Sequence, residues 1–99
     1  MKLTFKIQTM DIREKCKLRA VKFASEWGYN DVSNHILDIM VSIMCTRDKS
    51  SYSGGGFVTA ICNNDLIGAV SRADSECENY LKLFALTNDS CYVEQLEYI

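Results

Sequence analysis

Residues 32–45 read Val-Ser-Asn-His-Ile-Leu-Asp-Ile-Met-Val-Ser-Ile-Met-Cys, and this stretch decides the fold. Val32, Ile36, Met40, Ile43 and Met44 recur at spacings of three and four, the signature of one face of an α-helix. Leu37, Ile39 and Val41 widen that stripe until most of the circumference is apolar. A helix of this kind is either buried at the centre of a domain or held at a subunit interface. Its apolar surface looks too wide for one partner helix to cover, so the sequence predicts a homo-oligomer, most simply a two-fold dimer. Asn30 or Asp31 is the expected cap.

Upstream, Ile12, Cys16, Ala20, Phe23 and Trp27 again recur at helical spacing. Asp11 stands in cap position, with Glu14 three residues later as in a capping box. Gly28 is placed to end the helix in the left-handed conformation. The connection to the next helix is short, so the two are expected to lie antiparallel. Before them, Leu3, Phe5 and Ile7 alternate with polar residues, the period of a half-buried strand.

Downstream, residues 47–56 form a polar and glycine-rich loop. Short helices follow: Phe57 to Cys62, then Leu66 to Ala73 capped by Asn63, Asn64 or Asp65. A third is capped by Asp74 or Ser75, with Tyr80, Leu81, Phe84 and Ala85 buried. Residues 91–99 are rich in β-formers and are placed to pair with residues 2–8. The expected architecture is therefore mostly α (α+β): one domain spanning 1–99, with four to five helices and a small two-stranded sheet from the two termini. The expected core is Phe5, Val21, Phe23, Trp27, Ile36, Met40, Phe57, Ile61, Leu66, Val70, Leu81 and Phe84.

Composition limits the function classes. The apolar fraction is 47% and the charged fraction 24%, as in folded soluble domains. No apolar run approaches the ~18 residues that span a bilayer, and the N-terminus lacks the apolar core of a signal peptide. Cys16, Cys45, Cys62, Cys77 and Cys91 are an odd, widely spread set without a Cys-x-x-Cys pair. That pattern argues against a disulfide framework and against a zinc site, and suits reduced thiols in the cytoplasm. The net charge is −2. Residues 1–50 carry nine Lys or Arg and six Asp or Glu, for +3, while residues 51–99 carry two and seven, for −5. The basic surplus gathers in Arg13, Lys15, Lys17, Arg19 and Lys22, either a binding face or a solvated helix surface. A net acidic domain with one basic helix does not suit duplex nucleic acid.

No catalytic constellation emerges. His35 is the single histidine, and the acidic residues lack the paired arrangement of a hydrolase. Ser53-Gly54-Gly55-Gly56-Phe57 lacks the Gly-Lys-Ser/Thr of a phosphate loop, and no cofactor fingerprint is present. The informative stretch is residues 54–74. A glycine turn opens onto a helix start, where backbone N–H groups and the helix dipole favour an anion. Arg72 follows with a planar fork suited to phosphate. The glycines equally suit a simple tight turn, and Arg72 equally suits pairing with Asp65 or Asp74.

The elements Gly55, Gly56, Phe57, Val58, Ala60, Asn64, Asp65, Leu66, Ala69, Arg72, Ala73 and Asp74 resemble a motif of short accessory proteins encoded by tailed bacteriophages and prophages. In that group Gly-Gly-Phe-Val/Leu precedes Asn-Asp-Leu and Arg-Ala-Asp. The resemblance covers about a fifth of the chain and implies a phage accessory role in countering host defence. With the glycine turn it nominates Gly55, Gly56, Phe57, Asn64, Arg72 and Asp74 as ligand-binding residues. Three functions stay open. The first is sequestration of a small anionic, nucleotide-like signal, with Tyr29 and Tyr52 available to stack on a base. The second is a protein inhibitor docking on a host enzyme. The third is a small enzyme.

Overall fold

The computed structural model describes residues 12–47 and 55–92. Among these residues the chain is helical, with α1 (Ile12–Glu26), α2 (Asn34–Arg47), α3 (Gly56–Cys62), α4 (Leu66–Arg72), α5 (Ser75–Glu78) and α6 (Leu81–Ser90). No strand occurs among them. The strand pairing expected of residues 2–8 and 91–99, and the Asp11 cap, lie largely or wholly outside the described residues. None of the described helices is long and apolar enough to cross a membrane.

The widely apolar helix is the central one. Ile36, Met40, Ile43 and Met44 of α2 are wholly buried, and Val41 and Cys45 nearly so. α1, α3 and α6 all pack against α2, and α1 and α3 also touch α6. The expectation that a second copy must cover α2 therefore loses its basis: helices of the same chain cover it. Cys16 Sγ, near the start of α1, lies 4.0 Å from Cys45 Sγ, near the end of α2. The two helices thus run antiparallel, as the short link requires. All five cysteines are free thiols.

Local signals explain where the helices start and stop. Gly28 takes φ +88°. Its N–H donates to the Ser25 carbonyl (3.0 Å), and the Tyr29 N–H reaches back to Ala24 (2.8 Å). Together these close α1 with a Schellman turn. The start of α2 falls later than expected. Ser33 Oγ accepts the Ile36 N–H at 3.3 Å, so Ser33 is the cap, not Asn30 or Asp31. Asn30 is occupied elsewhere, accepting a hydrogen bond from Ser25 Oγ at 3.1 Å. The last helical region divides in two at Asn79 and Tyr80, giving α5 and α6 in place of one helix.

Several expected core residues face outward. Val21 on α1, Trp27 just past its end, and Leu66 and Val70 on α4 are each about half exposed or more. α1 buries Phe23 together with the small Cys16, Ala20 and Ala24. α4 turns Gly68 and Ala69 inward. Ala85 is exposed, whereas Phe57 and Leu81 are half-buried against the core. Phe5 lies outside the described residues. Phe23, Ile36, Met40, Ile61 and Phe84 are buried as expected.

Arg47, the last residue of α2, closes the far end of the fold. Its Nη1 donates to the carbonyls of Thr87 (2.9 Å) and Asn88 (3.1 Å), and its Nη2 to that of Cys91 (2.7 Å). These are carbonyl groups at the end of α6, where a cation also complements the helix dipole. The guanidinium lies 4.4 Å from the centre of the Tyr92 ring.

Phe84, wholly buried and edge-on to Phe57 at 5.6 Å, is the largest fully buried side chain among the described residues. Replacing it by Ala should cost about 3–5 kcal/mol in urea denaturation, much of the stability of a domain this size. Arg47→Lys should cost about 1–3 kcal/mol in the same experiment. One ammonium does not reproduce the fork that serves three carbonyls, and a buried acceptor left unpaired is costly.

Candidate functional site

Two sites arise from the segment that follows α3. The first is a groove of about 320 Å³ between the start of α3 and the end of α4, with Gly55, Gly56, Thr59, Asn63, Asp65 and Arg72 in its lining. The path of the chain creates it. α3 ends at Asn63, and Asn64 takes a left-handed φ of +57°. Asp65 then caps α4 by accepting the Gly68 N–H at 3.0 Å. α4 runs back alongside α3, so that its last residue, Arg72, returns to the glycine turn.

The Arg72 side chain lies across Gly56. A Cβ there would stand 3.1 Å from both Cδ and Nε of Arg72, so any larger residue would make the arginine give by a few tenths of an ångström. Arg72 Nη1 donates to the Gly68 carbonyl at 3.2 Å. Among the described residues neither Asp65 nor Asp74 forms an ion pair with it: Asp65 is turned to its cap and Asp74 faces His35. The guanidinium is exposed and keeps further donors for another acceptor. α3, with only two turns, adds little dipole of its own.

Of the six nominated residues, the structure brings Gly55, Gly56 and Arg72 together. Phe57 packs into the core against Phe84. Asn64 lines a separate, apolar depression with Ala60, Ile61, Leu66, Ala69, Leu81 and Ala85. Asp74 stands apart from the groove. The supporting groups named for a base or a phosphate are also partly committed elsewhere. Tyr29 is tilted onto Tyr80 at 5.8 Å. Arg19, from the basic run, is buried, reaching Glu26 at 3.1 Å. Tyr52 and Gly54 lie outside the described residues.

The second site joins the start of α2 to α5. His35, in the first turn of α2, places Nε2 at 2.9 Å from Asp74 Oδ2 and 3.8 Å from Cys77 Sγ. The other oxygen of Asp74 caps α5, with the Cys77 N–H donating to Oδ1 at 2.7 Å. Beside this cluster, Ser33 Oγ donates to Glu76 Oε2 at 2.8 Å. The sequence reading passed over this pairing because His35 and Cys77 are 42 residues apart. The one local signal was the capping position of Asp74.

The electrostatics follow from the geometry. The Cys77 backbone N–H, then the His35 side chain, hold the Asp74 carboxyl down from 3.8 to about 2. Burial, then the adjoining Asp74 carboxylate, push the Cys77 thiol up to about 12. Nucleophilic cysteine needs the thiolate and a base of its own. Here the thiol holds its proton, and Asp74 and Cys77 both face the same imidazole nitrogen. That is not the relay of a Cys–His–Asp triad, in which the carboxylate and the nucleophile address opposite nitrogens.

No protein-family model, no curated protein and no solved structure matches this chain. The functional reading therefore rests on its own residues.

Asp74→Ala should lower the urea midpoint through loss of the α5 cap, while Asp74→Asn, which still accepts the N–H, should retain most of it. The carboxyl is held below its ordinary value in the folded chain. Its contribution is therefore complete above that value of 3.8 and is lost as pH falls toward about 2. Urea midpoints of the wild type and Asp74→Asn, followed across that range, should converge toward its acid end.

Proposed function

We propose that this chain is a phage-type accessory binding protein that holds a small anionic, nucleotide-like molecule in the groove between α3 and α4, and so withdraws a host defence signal in the cytoplasm. The observation that carries this reading is Arg72. Its side chain is laid over Gly56, it faces an open groove, and no described carboxylate pairs with it. A planar fork with free donors suits a phosphate. The groove volume of about 320 Å³ is at the small end of ligand sites. Exposed backbone at Gly55 and Gly56 supports close approach of a ligand. A binding role is preferred to catalysis because the Cys77–His35–Asp74 arrangement lacks an activated nucleophile.

A second reading, docking on a host protein, has its own observation. Leu66 and Ile67 on α4 are 69% and 84% exposed, and Val70 is close by on the same short helix. Three large apolar side chains together at the surface suit a protein partner.

The test is isothermal titration with cyclic di- and trinucleotides as probes. Arg72→Ala should weaken binding about tenfold to a hundredfold, the scale of a hydrogen-bonded charge contact at an accessible site. Arg72→Lys should be nearly as damaging, with the melting temperature little changed in both. Ile67→Asp should leave nucleotide binding intact if the groove is the site. If no nucleotide binds and Ile67→Asp alone abolishes the protective effect of the gene in infected cells, the docking reading replaces the first.

A further inference from the structure

The α2–α5 junction carries an inference that does not depend on the groove. Three side chains of three donor types converge there from segments 39 or more residues apart. His35 Nε2, Asp74 Oδ2 and Cys77 Sγ all lie within 4.8 Å of one another. A structural ion pair would account for His35 and Asp74. The cap brings Cys77 beside that pair, and its sulfur faces the same imidazole nitrogen as Asp74 Oδ2. We propose that His35, Asp74 and Cys77 form a zinc site, three protein ligands with water in the fourth position.

The geometry is close to what the ion would impose. With Zn–N, Zn–O and Zn–S bonds of about 2.0, 2.1 and 2.3 Å, a tetrahedral centre separates N from O by roughly 3.4 Å and N from S by roughly 3.5 Å. The present separations are 2.9 and 3.8 Å, with the oxygen and sulfur within 4.8 Å of each other, so side-chain movements of less than about 1.5 Å would be needed to meet a tetrahedral ion. Asp74 is suited to the task because its two oxygens divide the work. Oδ1 is fixed by the Cys77 N–H, which orients Oδ2 toward His35. Such hydrogen bonds behind a ligand are what set a metal site in position. The Ser33–Glu76 hydrogen bond pins the same two segments together beside the cluster.

Ligand chemistry selects the ion. A thiolate with an imidazole favours zinc over magnesium or calcium, which take oxygen donors. His35 and Asp74 are half-exposed, leaving a path for entry and a face for water. Binding replaces the thiol proton: the Zn–S bond forms as the S–H bond breaks, and the proton passes to the buffer. The metal then joins the start of α2 to α5.

The experiment uses the full chain, stripped of metal, with Zn²⁺ and Co²⁺ as probes. One equivalent of Zn²⁺ should bind at micromolar protein with release of a proton, and it should raise the melting temperature. Co²⁺ should give thiolate-to-metal charge-transfer absorption and the visible bands of a tetrahedral centre. Cys77→Ser should abolish the charge-transfer band. His35→Ala, at an exposed position, and Asp74→Asn, which keeps the helix cap, should each weaken zinc binding about tenfold to a hundredfold while circular dichroism is unchanged. Absence of stoichiometric zinc binding would overturn the proposal. So would a charge-transfer band that persists in Cys77→Ser, since it would come from another cysteine, or wild-type affinity in His35→Ala.

Discussion

Every other element of this fold answers to the burial of one helix. α2 is apolar on nearly all sides, and a chain of 99 residues has few ways to remove such a helix from water. The solution is to surround it: α1 on one side, α3 and α6 on others, with the ends of α2 doing polar work. Its first turn carries Ser33, the cap, and His35, which meets α5. Its last residue, Arg47, gathers the carbonyls that end α6. The same helix is thus the hydrophobic centre and the pair of polar brackets that fix the chain around it.

The elements after α2 are too short to hold their shape alone. Helices of four to ten residues are unstable in water unless caps and packing support them. Asp65 and Asp74 each accept a backbone N–H at the start of their helix. The Asn88 side-chain amide donates to the Ile61 carbonyl at 3.3 Å, tying α6 to α3. Both candidate sites grow from these fastenings. The return of α4 against α3 brings Arg72 onto Gly56, and the cap of α5 delivers Asp74 and Cys77 to His35. The groove and the three-donor cluster are neighbours in sequence but draw on different contacts.

Local features were legible in the sequence, and long-range ones were not. Gly28, Asp65 and Asp74 act as punctuation because their chemistry operates within five residues. The wide stripe of α2 identified a helix but did not say what would cover it; that depends on how many neighbours the same chain supplies. On α1 the periodic stripe matches the buried face at Cys16, Ala20 and Phe23 and fails at its two ends, Ile12 and Trp27, while Val21, a core expectation outside that stripe, faces outward. Cys16, Ala20 and Ala24 face α2, while Trp27 falls beyond the helix, at the Schellman turn, and only leans on Phe23 at 6.4 Å between ring centres. On α4, seven residues give too few turns to define a face: size favours Leu66 and Val70 as the inward pair, but Gly68 and Ala69 are the buried one. For the groove, Arg72 and the two glycines could be read together from one segment. The meeting of His35 with Cys77 could not, because only the packing of α2 joins them.

The seam between α1 and α2 has a consequence for how this sequence can drift. Cys16, Ala20 and Ala24 are wholly buried and small, so what is preserved there is volume before hydrophobicity. Ala20 or Ala24 enlarged to leucine would force the two helices apart, although the substitution is more apolar, whereas Cys16 exchanged for alanine leaves only a small void. The outward faces of α1 and α4 carry no such constraint from the fold. Divergent descendants of this chain should therefore be recognisable by a spaced row of small residues in the first helix followed by an almost continuously apolar second one, with the surface of the α3–α4 hairpin free to change to suit whatever it meets.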